Sequence, residues 1–218
     1  MTFILSKLVI LITVAALSRE TGGCFSVPDC QVEAEVRACV ADPQRADSLA
    51  RAVESYLATD EDTYIRYADA MLAAGYEASP RIEWLRDMAL RARPGTEAPD
   101  FEFELPDGST TRLSARLGGG PVVLMFYDPD CQGCRDTIDE LAAIEGVGVV
   151  AIDTGTDPAA CHALPEGWTQ GRDPDADRAD EVYVIPAQPT LYLIGPDGRI
   201  ILRDTTPAAI ADALSRGQ

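Results

Sequence analysis

Between Leu8 and Leu17 the chain carries an apolar run, broken only by Thr13, that follows Lys7 and gives way to small and polar residues. That is the pattern of a signal peptide, and the run is about half of the roughly 20 apolar residues that a membrane-spanning helix requires. From Pro28 to about Arg93 the spacing turns helical. Val32, Val36, Cys39 and Val40 fall at i, i+4, i+7 and i+8, on one stripe. Asp42-Pro43 and Ser79-Pro80 each place a capping residue before a proline at the first helical position. Thr59 offers a capping hydroxyl before Asp60-Glu61-Asp62, Gly75 stands where a helix C-cap belongs, and Leu85, Met88 and Ala89 are packing residues. This predicts a small helical layer, which Arg93-Pro94-Gly95 ends.

After that break the period changes to strands. Phe101, Phe103 and Leu105 alternate, Pro106-Asp107-Gly108 turns, and Thr110 to Leu113 returns, so a hairpin opens the second part. Pro121 to Tyr127 is an apolar, β-branched and aromatic run, the mark of a strand buried on both faces. Helical spacing follows from Cys131 to Ala143, then a buried strand from Val147 to Ile152, making a βαβ unit. Asp157-Pro158 predicts a short helix, Pro189 to Ile194 a strand, Arg199 to Arg203 its antiparallel return, and Thr206-Pro207 the start of a last helix with Ile210 and Leu214. The expected organisation is a signal peptide over 1–23, a helical segment over 24–93 and an α/β domain over 94–218.

Composition sharpens this picture. The chain has 218 residues, of which 46% are hydrophobic, enough for an α/β core with a smaller helical unit beside it. Its 18 Lys and Arg against 36 Asp and Glu leave a formal charge of −18, which repels phosphate backbones and excludes nucleic acid as a partner. The acids are interleaved with apolar residues along the chain, as on solvated faces.

Six cysteines in an exported chain would ordinarily suggest structural disulfides. If Cys30 and Cys39 share a helix, however, nine residues at 1.5 Å each separate them by about 13 Å, beyond the roughly 7 Å that a disulfide spans. Cys39 then serves as a small buried hydrophobe unless the helix starts late. Cys131-Gln132-Gly133-Cys134 stands apart by its position, at the junction of a buried strand and a helix. A helix N-terminus carries unpaired N–H groups and about half a positive charge, favouring a thiolate on the first cysteine. Cys131 is the expected nucleophile and Cys134, one turn along, the residue that resolves a mixed disulfide. Half of a zinc site is the competing reading, but there is no second CxxC, and the single histidine, His162, adjoins Cys161. Adjacent helical residues point about 100° apart, so Cys161 and His162 do not form a nucleophile-base pair. No metal and no cofactor beyond the two thiols is expected. Trp168 and Tyr192 are expected in the core.

Residues 94 to 206 resemble the TlpA/ResA branch of the thioredoxin superfamily. The likeness is carried by Arg93-Pro94-Gly95-Thr96 leading into Ala98-Pro99-Asp100-Phe101, by Phe126-Tyr127-Asp128-Pro129-Asp130 before the cysteines, by Pro165-Glu166-Gly167-Trp168, and by Ile185-Pro186-Ala187-Gln188-Pro189-Thr190-Leu191-Tyr192-Leu193. The resemblance implies a thioredoxin-like central mixed sheet flanked by helices, preceded by the small all-helical segment. It implies that Pro189 is cis and faces the cysteines, that Gln188 offers its backbone to a partner, and that Tyr127 and Asp130 border the bound partner. Met125 departs from the pattern, standing where many members place a buried acid or amide. Asp128 and Asp130 put negative charge beside Cys131, with Arg135 opposing them.

The function so implied is thiol:disulfide exchange in the periplasm or cell envelope, reducing or isomerising disulfides of exported proteins, with a membrane-embedded dithiol as electron donor. Thr21-Gly22-Gly23-Cys24 resembles a bacterial lipoprotein box, with Thr21 where an aliphatic is usual, and would anchor the chain by lipid on Cys24; cleavage after Ala16-Leu17-Ser18 is the competing route. Two other functions compete: a peroxide-reducing enzyme of related fold, and a non-catalytic partner-binding lipoprotein on the same scaffold.

Overall fold

The computed structural model describes residues 27–76, 80–157 and 163–217. The expected signal peptide, Cys24, Ser79, the helix expected at Asp157-Pro158, and the Cys161-His162 pair lie wholly or in part outside the described residues. The chain forms two compact units that part between Ala89 and Leu90.

The first unit is helical: α1 (Asp29–Val40), α2 (Pro43–Val53), a 3-10 turn (Glu54–Ala58), α3 (Glu61–Ala73) and α4 (Pro80–Leu90), the last reaching the boundary. Asp42 caps α2 through Gln44 N–H at 3.0 Å, with Pro43 at the first helical position. The α3 cap differs from expectation. Thr59 turns its hydroxyl back to the Ser55 carbonyl, and Asp60 takes the cap, accepting from the Thr63 N–H at 3.1 Å and the Thr63 hydroxyl at 2.6 Å. The carboxylate gives each donor its own oxygen, where a hydroxyl would offer a single one. Gly75, at φ +78°, closes α3 with its N–H on Leu72 O while Tyr76 N–H reaches Met71 O, a Schellman pair. Val32, Val36, Leu49, Tyr64, Tyr67 and Met71 form the core. Cys30 and Cys39 are both on α1, both free, and Cys39 is only partly buried.

The second unit is a seven-stranded mixed sheet in the order β2-β1-β5-β4-β3-β6-β7, built from β1 (Glu102–Glu104), β2 (Thr110–Arg112), β3 (Val122–Tyr127), β4 (Gly148–Asp153), β5 (Thr169–Arg172), β6 (Thr190–Ile194) and β7 (Ile200–Arg203). Strand β3 runs parallel to β4 and antiparallel to β6, and β4 runs parallel to β5. The alternation of β3 sorts its side chains into two cores. Val122, Leu124 and Phe126 join Phe101, Phe103, Tyr183 and Tyr192 on one face. Val123, Met125 and Tyr127 meet α5 (Gln132–Ala142) and α6 (Pro207–Arg216) on the other, through Cys134, Ile138, Leu141 and Ile210. Tyr192 is fully buried, and Trp168 is partly buried against the second core.

Strand β5 is not expected from its sequence, Thr169-Gln170-Gly171-Arg172, which has no apolar alternation. It exists because β4 pairs with it on one side and β1 on the other. The residues before β1 are tied to the opposite edge of the sheet. Gly95 N–H donates to Ile200 O at 2.7 Å, Ile200 N–H to Thr96 O at 2.9 Å, and Ala98 N–H to Gly198 O at 2.9 Å. Arg91 donates to Asp180 O at 2.7 Å and accepts from Arg203 at 2.9 Å on its own carbonyl.

Candidate active site

Strand β3 carries the chain through the centre of the sheet and releases it at Asp128, where the backbone bends into α5. The bend is fixed by Asp128, whose carbonyl accepts from Cys131 N–H at 3.1 Å and whose carboxylate accepts from Asp130 N–H at 2.8 Å. Cys131 is thereby set at the N-cap of α5 with extended backbone, and its sulfur accepts from the Cys134 N–H at 3.3 Å. The sulfur thus takes the place a serine or aspartate oxygen holds at other helix starts, facing free N–H groups.

Cys131 is partly exposed, whereas Cys134 is fully buried, packed with Met125 and Tyr127. Burial pushes the Cys134 thiol up to about 12. The hydrogen bond and charge of Cys131 and the charge of Asp128 act in the same direction, while the backbone N–H of Asp128 opposes them. The two sulfurs therefore differ in access, Cys131 partly open and Cys134 sealed.

Across from the cysteines lies the loop before β6, with a cis peptide bond between Gln188 and Pro189. A Cβ placed on Gly133 would lie 3.9 Å from the Cys131 sulfur and 4.0 Å from Pro189 Cδ, so the proline ring borders the CxxC turn. The Cys131 thiol donates to Gln188 O at 3.7 Å. The loop is held from behind by Tyr192, whose hydroxyl accepts from Val184 N–H at 2.9 Å and donates to Val184 O at 2.8 Å, and by the Thr190 hydroxyl on Ala187 O. Tyr183 packs edge-on against Tyr192 with ring centres 4.9 Å apart.

The end of β4 supplies residues that the sequence reading did not single out. The buried Thr154 donates its hydroxyl to Tyr127 O at 3.2 Å and accepts from the Gln188 side-chain amide at 3.2 Å. Asp153, 7% exposed, accepts from Gly155 N–H at 2.8 Å. Burial raises its proton affinity, the Gly155 N–H and Arg172 lower it, and Asp128 and Asp130 raise it again. A signal for these residues does exist: the apolar run of β4 stops in Asp153-Thr154-Gly155 at the carboxyl end of a parallel strand, where open α/β sheets place their ligand sites.

Cys131, Cys134, Gln188 and Pro189 are brought together. Asp130 is exposed immediately before Cys131, and its carbonyl accepts from the Arg135 guanidinium at 3.0 Å. Tyr127 does not border a bound partner: its side chain is fully buried beneath Cys134, because β3 is covered on both faces. Among the described residues no group of three or more His, Cys, Asp or Glu is arranged to hold a metal ion, and no helix is long and apolar enough to cross a membrane.

No curated protein matches the chain. Among solved structures, a thioredoxin-like protein from Bacteroides caccae superposes with a TM-score of 0.67 at 23% identity, over 88% of this chain and 79% of that chain. A conserved protein of unknown function from Bacteroides fragilis is 32% identical, with a TM-score of 0.51 over 56% of this chain and 98% of that one. A candidate thiol:disulfide interchange protein DsbE from Chlorobium tepidum is 24% identical, with a TM-score of 0.48 over 57% of this chain and 94% of that chain. The AhpC/TSA family model matches residues 94–203, half of the chain. The chain belongs to the AhpC/TSA family, with the thioredoxin-like fold and cis-proline site that its resemblance to the TlpA/ResA branch implies.

Proposed function

We propose that the chain is an extracytoplasmic thiol:disulfide oxidoreductase that reduces or isomerises disulfides of exported proteins. The observation that carries this reading is the unequal pair at the α5 N-terminus: Cys131 partly exposed beside the cis-proline loop, and Cys134 buried with its thiol pushed up to about 12. Such a pair divides the labour of exchange. The Cys131 thiolate attacks a substrate disulfide, forming a mixed disulfide and releasing one substrate thiolate. Cys134, once deprotonated, attacks the Cys131 sulfur and releases the second. Two electrons pass to the substrate, and the enzyme is left with a Cys131–Cys134 disulfide.

The Gln188 carbonyl and the exposed backbone around it offer the docking edge for a substrate strand, with Asp130 at the rim. Electrons return from a membrane-embedded dithiol facing the same compartment. The apolar run before Ser18 and the Cys24 box support export and a lipid anchor, and mass spectrometry of the mature N-terminus checks both; an unmodified start at Arg19 sinks the anchor.

Trapping tests the exchange itself. In a Cys161→Ala background, Cys134→Ser leaves partners bound as stable mixed disulfides on non-reducing gels, and Cys131→Ser traps none. The reverse pattern inverts the two roles, and no trapping by either removes the reading. The reduction potential of the pair then gives direction: a value near about −270 mV sets it among reductants and one near about −120 mV among oxidants.

A further inference from the structure

Gly133 is a glycine that the fold does not require. It is the second residue of α5 and is not among the glycines with positive φ. Alanine is the better helix former at such a position, because it has less backbone freedom to lose on folding. Crowding does not demand glycine either. A Cβ on Gly133 would meet the Cys131 sulfur at 3.9 Å and Pro189 Cδ at 4.0 Å, both ordinary van der Waals distances. The chain thus carries a residue that weakens the start of its helix at a place where a methyl group would fit.

What the missing methyl leaves open is the reactive sulfur. Cys131 is held by two polar contacts, the Cys134 N–H at 3.3 Å and the Gln188 carbonyl at 3.7 Å, and remains partly exposed. Gly133 beside it is exposed, and Pro189 is partly exposed. Sulfur, proline ring and bare Cα therefore border a notch about the size of one methyl group, open to solvent. A substrate strand docked along Gln188 turns its half-cystine toward Cys131. In an extended strand the residues two places before and after that half-cystine share its face, so their side chains are turned toward the same surface. On a strand with one buried face those positions are apolar and bulky.

We propose that Gly133 is a specificity-determining residue: the notch it leaves between the Cys131 sulfur and the Pro189 ring admits crowded disulfides, those whose half-cystine stands between bulky apolar side chains on one face of an extended strand. This rests on the exchange reading above and names its substrate class. Such half-cystines are presented by exported proteins whose strands have not yet closed into a core. A methyl group on Gly133 would fill the notch, cover the sulfur from that side and turn these substrates away, while slim ones would still reach Cys131.

The test uses the reduced full chain and two pentapeptides, Gly-Ser-Cys-Ser-Gly and Ile-Ser-Cys-Ser-Ile, each joined through its cysteine to nitrothiobenzoate as a mixed disulfide. The Cys131 thiolate, its proton lost to the buffer, bonds to the peptide sulfur. Nitrothiobenzoate, the better leaving group, departs with the electron pair of the broken bond as a coloured thiolate. Release by Cys131→Ser measures the remaining thiols, the exposed Cys30 among them, and is subtracted. The wild type is expected to react with both peptides at similar rates. Gly133→Ala is expected to slow the Ile peptide by about 10-fold and to leave the Gly peptide unchanged. A change in the acidity of Cys131 would slow both alike, so the ratio of the two rates reads steric access. The denaturant midpoint of Gly133→Ala is expected not to fall, since alanine favours the helix. Equal slowing of both peptides, slowing of neither, or a lowered midpoint overturns the proposal and leaves the exchange reading standing. A wild type that releases no more colour than Cys131→Ser overturns both.

Discussion

The hydroxyl of Thr154 serves two partners, Tyr127 O on β3 and the side-chain amide of Gln188, and so ties the cis-proline loop to the strand that delivers the cysteines. Thr154→Val keeps the shape and removes the tie. The Tyr127 carbonyl still accepts from the Thr154 N–H at 2.9 Å, and the Gln188 amide is exposed to water, so the stability lost should be about 1 kcal/mol. The larger effect falls on docking. With Gln188 released, the KM for a peptide disulfide is expected to rise several-fold while the first thiolate release from a small aromatic disulfide changes less, and Thr154→Ser should restore both. Equal losses with the two substrates would show that Thr154 acts on Cys131 itself.

At the level of elements, β5 shows what patterning can and cannot reveal. Strands β3, β4 and β6 are legible because they are buried on both faces and their apolar runs are nearly continuous. Strand β5 is a strand by virtue of its neighbours, and Gly171 is its packing device. A Cβ there would lie 2.7 Å from Ile152 Cδ1 and would press into the Phe103 ring, which is fully buried and has nowhere to move. Gly171→Ala should therefore overpack the joint between β1, β5 and β4 and lower stability by about 2 kcal/mol, read as a lower denaturant midpoint at constant slope. An unchanged midpoint would mean that Phe103 is free to yield. The cysteines were legible for a similar reason, since a CxxC directly after a buried run announces its place in the fold. Pro189 was legible only by resemblance, because a single proline before a strand reads equally as a strand-starting residue in trans. The Asp153-Thr154-Gly155 group was hidden because its members become a site only when β4 is laid beside β3.

For the molecule as a whole, an acid carried inside at the carboxyl end of β4 need not strengthen the fold. Burial raises the proton affinity of Asp153, so the folded state holds that proton more tightly than the unfolded chain does. Below the ordinary value of 3.8 both states are protonated and the group costs nothing. As the pH rises from there through the elevated native value, the unfolded chain ionises first, stability falls, and above that value the carboxylate sits inside as an anion with the loss complete. Asp153→Asn should thus raise Tm at pH 7, and the gain should vanish below pH 3.8. A variant less stable at pH 7 would mean that the Gly155 N–H and Arg172 outweigh burial.

The hydrogen bonds of residues 91–98 have an evolutionary consequence. A gene fragment that begins at Pro94, the proline that follows the end of α4, encodes every strand and the CxxC pair, yet it leaves behind Arg91, which joins Asp180 to Arg203. A recipient inheriting that fragment would receive the CxxC turn and the cis-proline loop with one fastening of the last strand missing. A fragment that travels intact between genes has to begin before Arg91, just past the end of α4, so a boundary drawn at the proline falls a few residues too late.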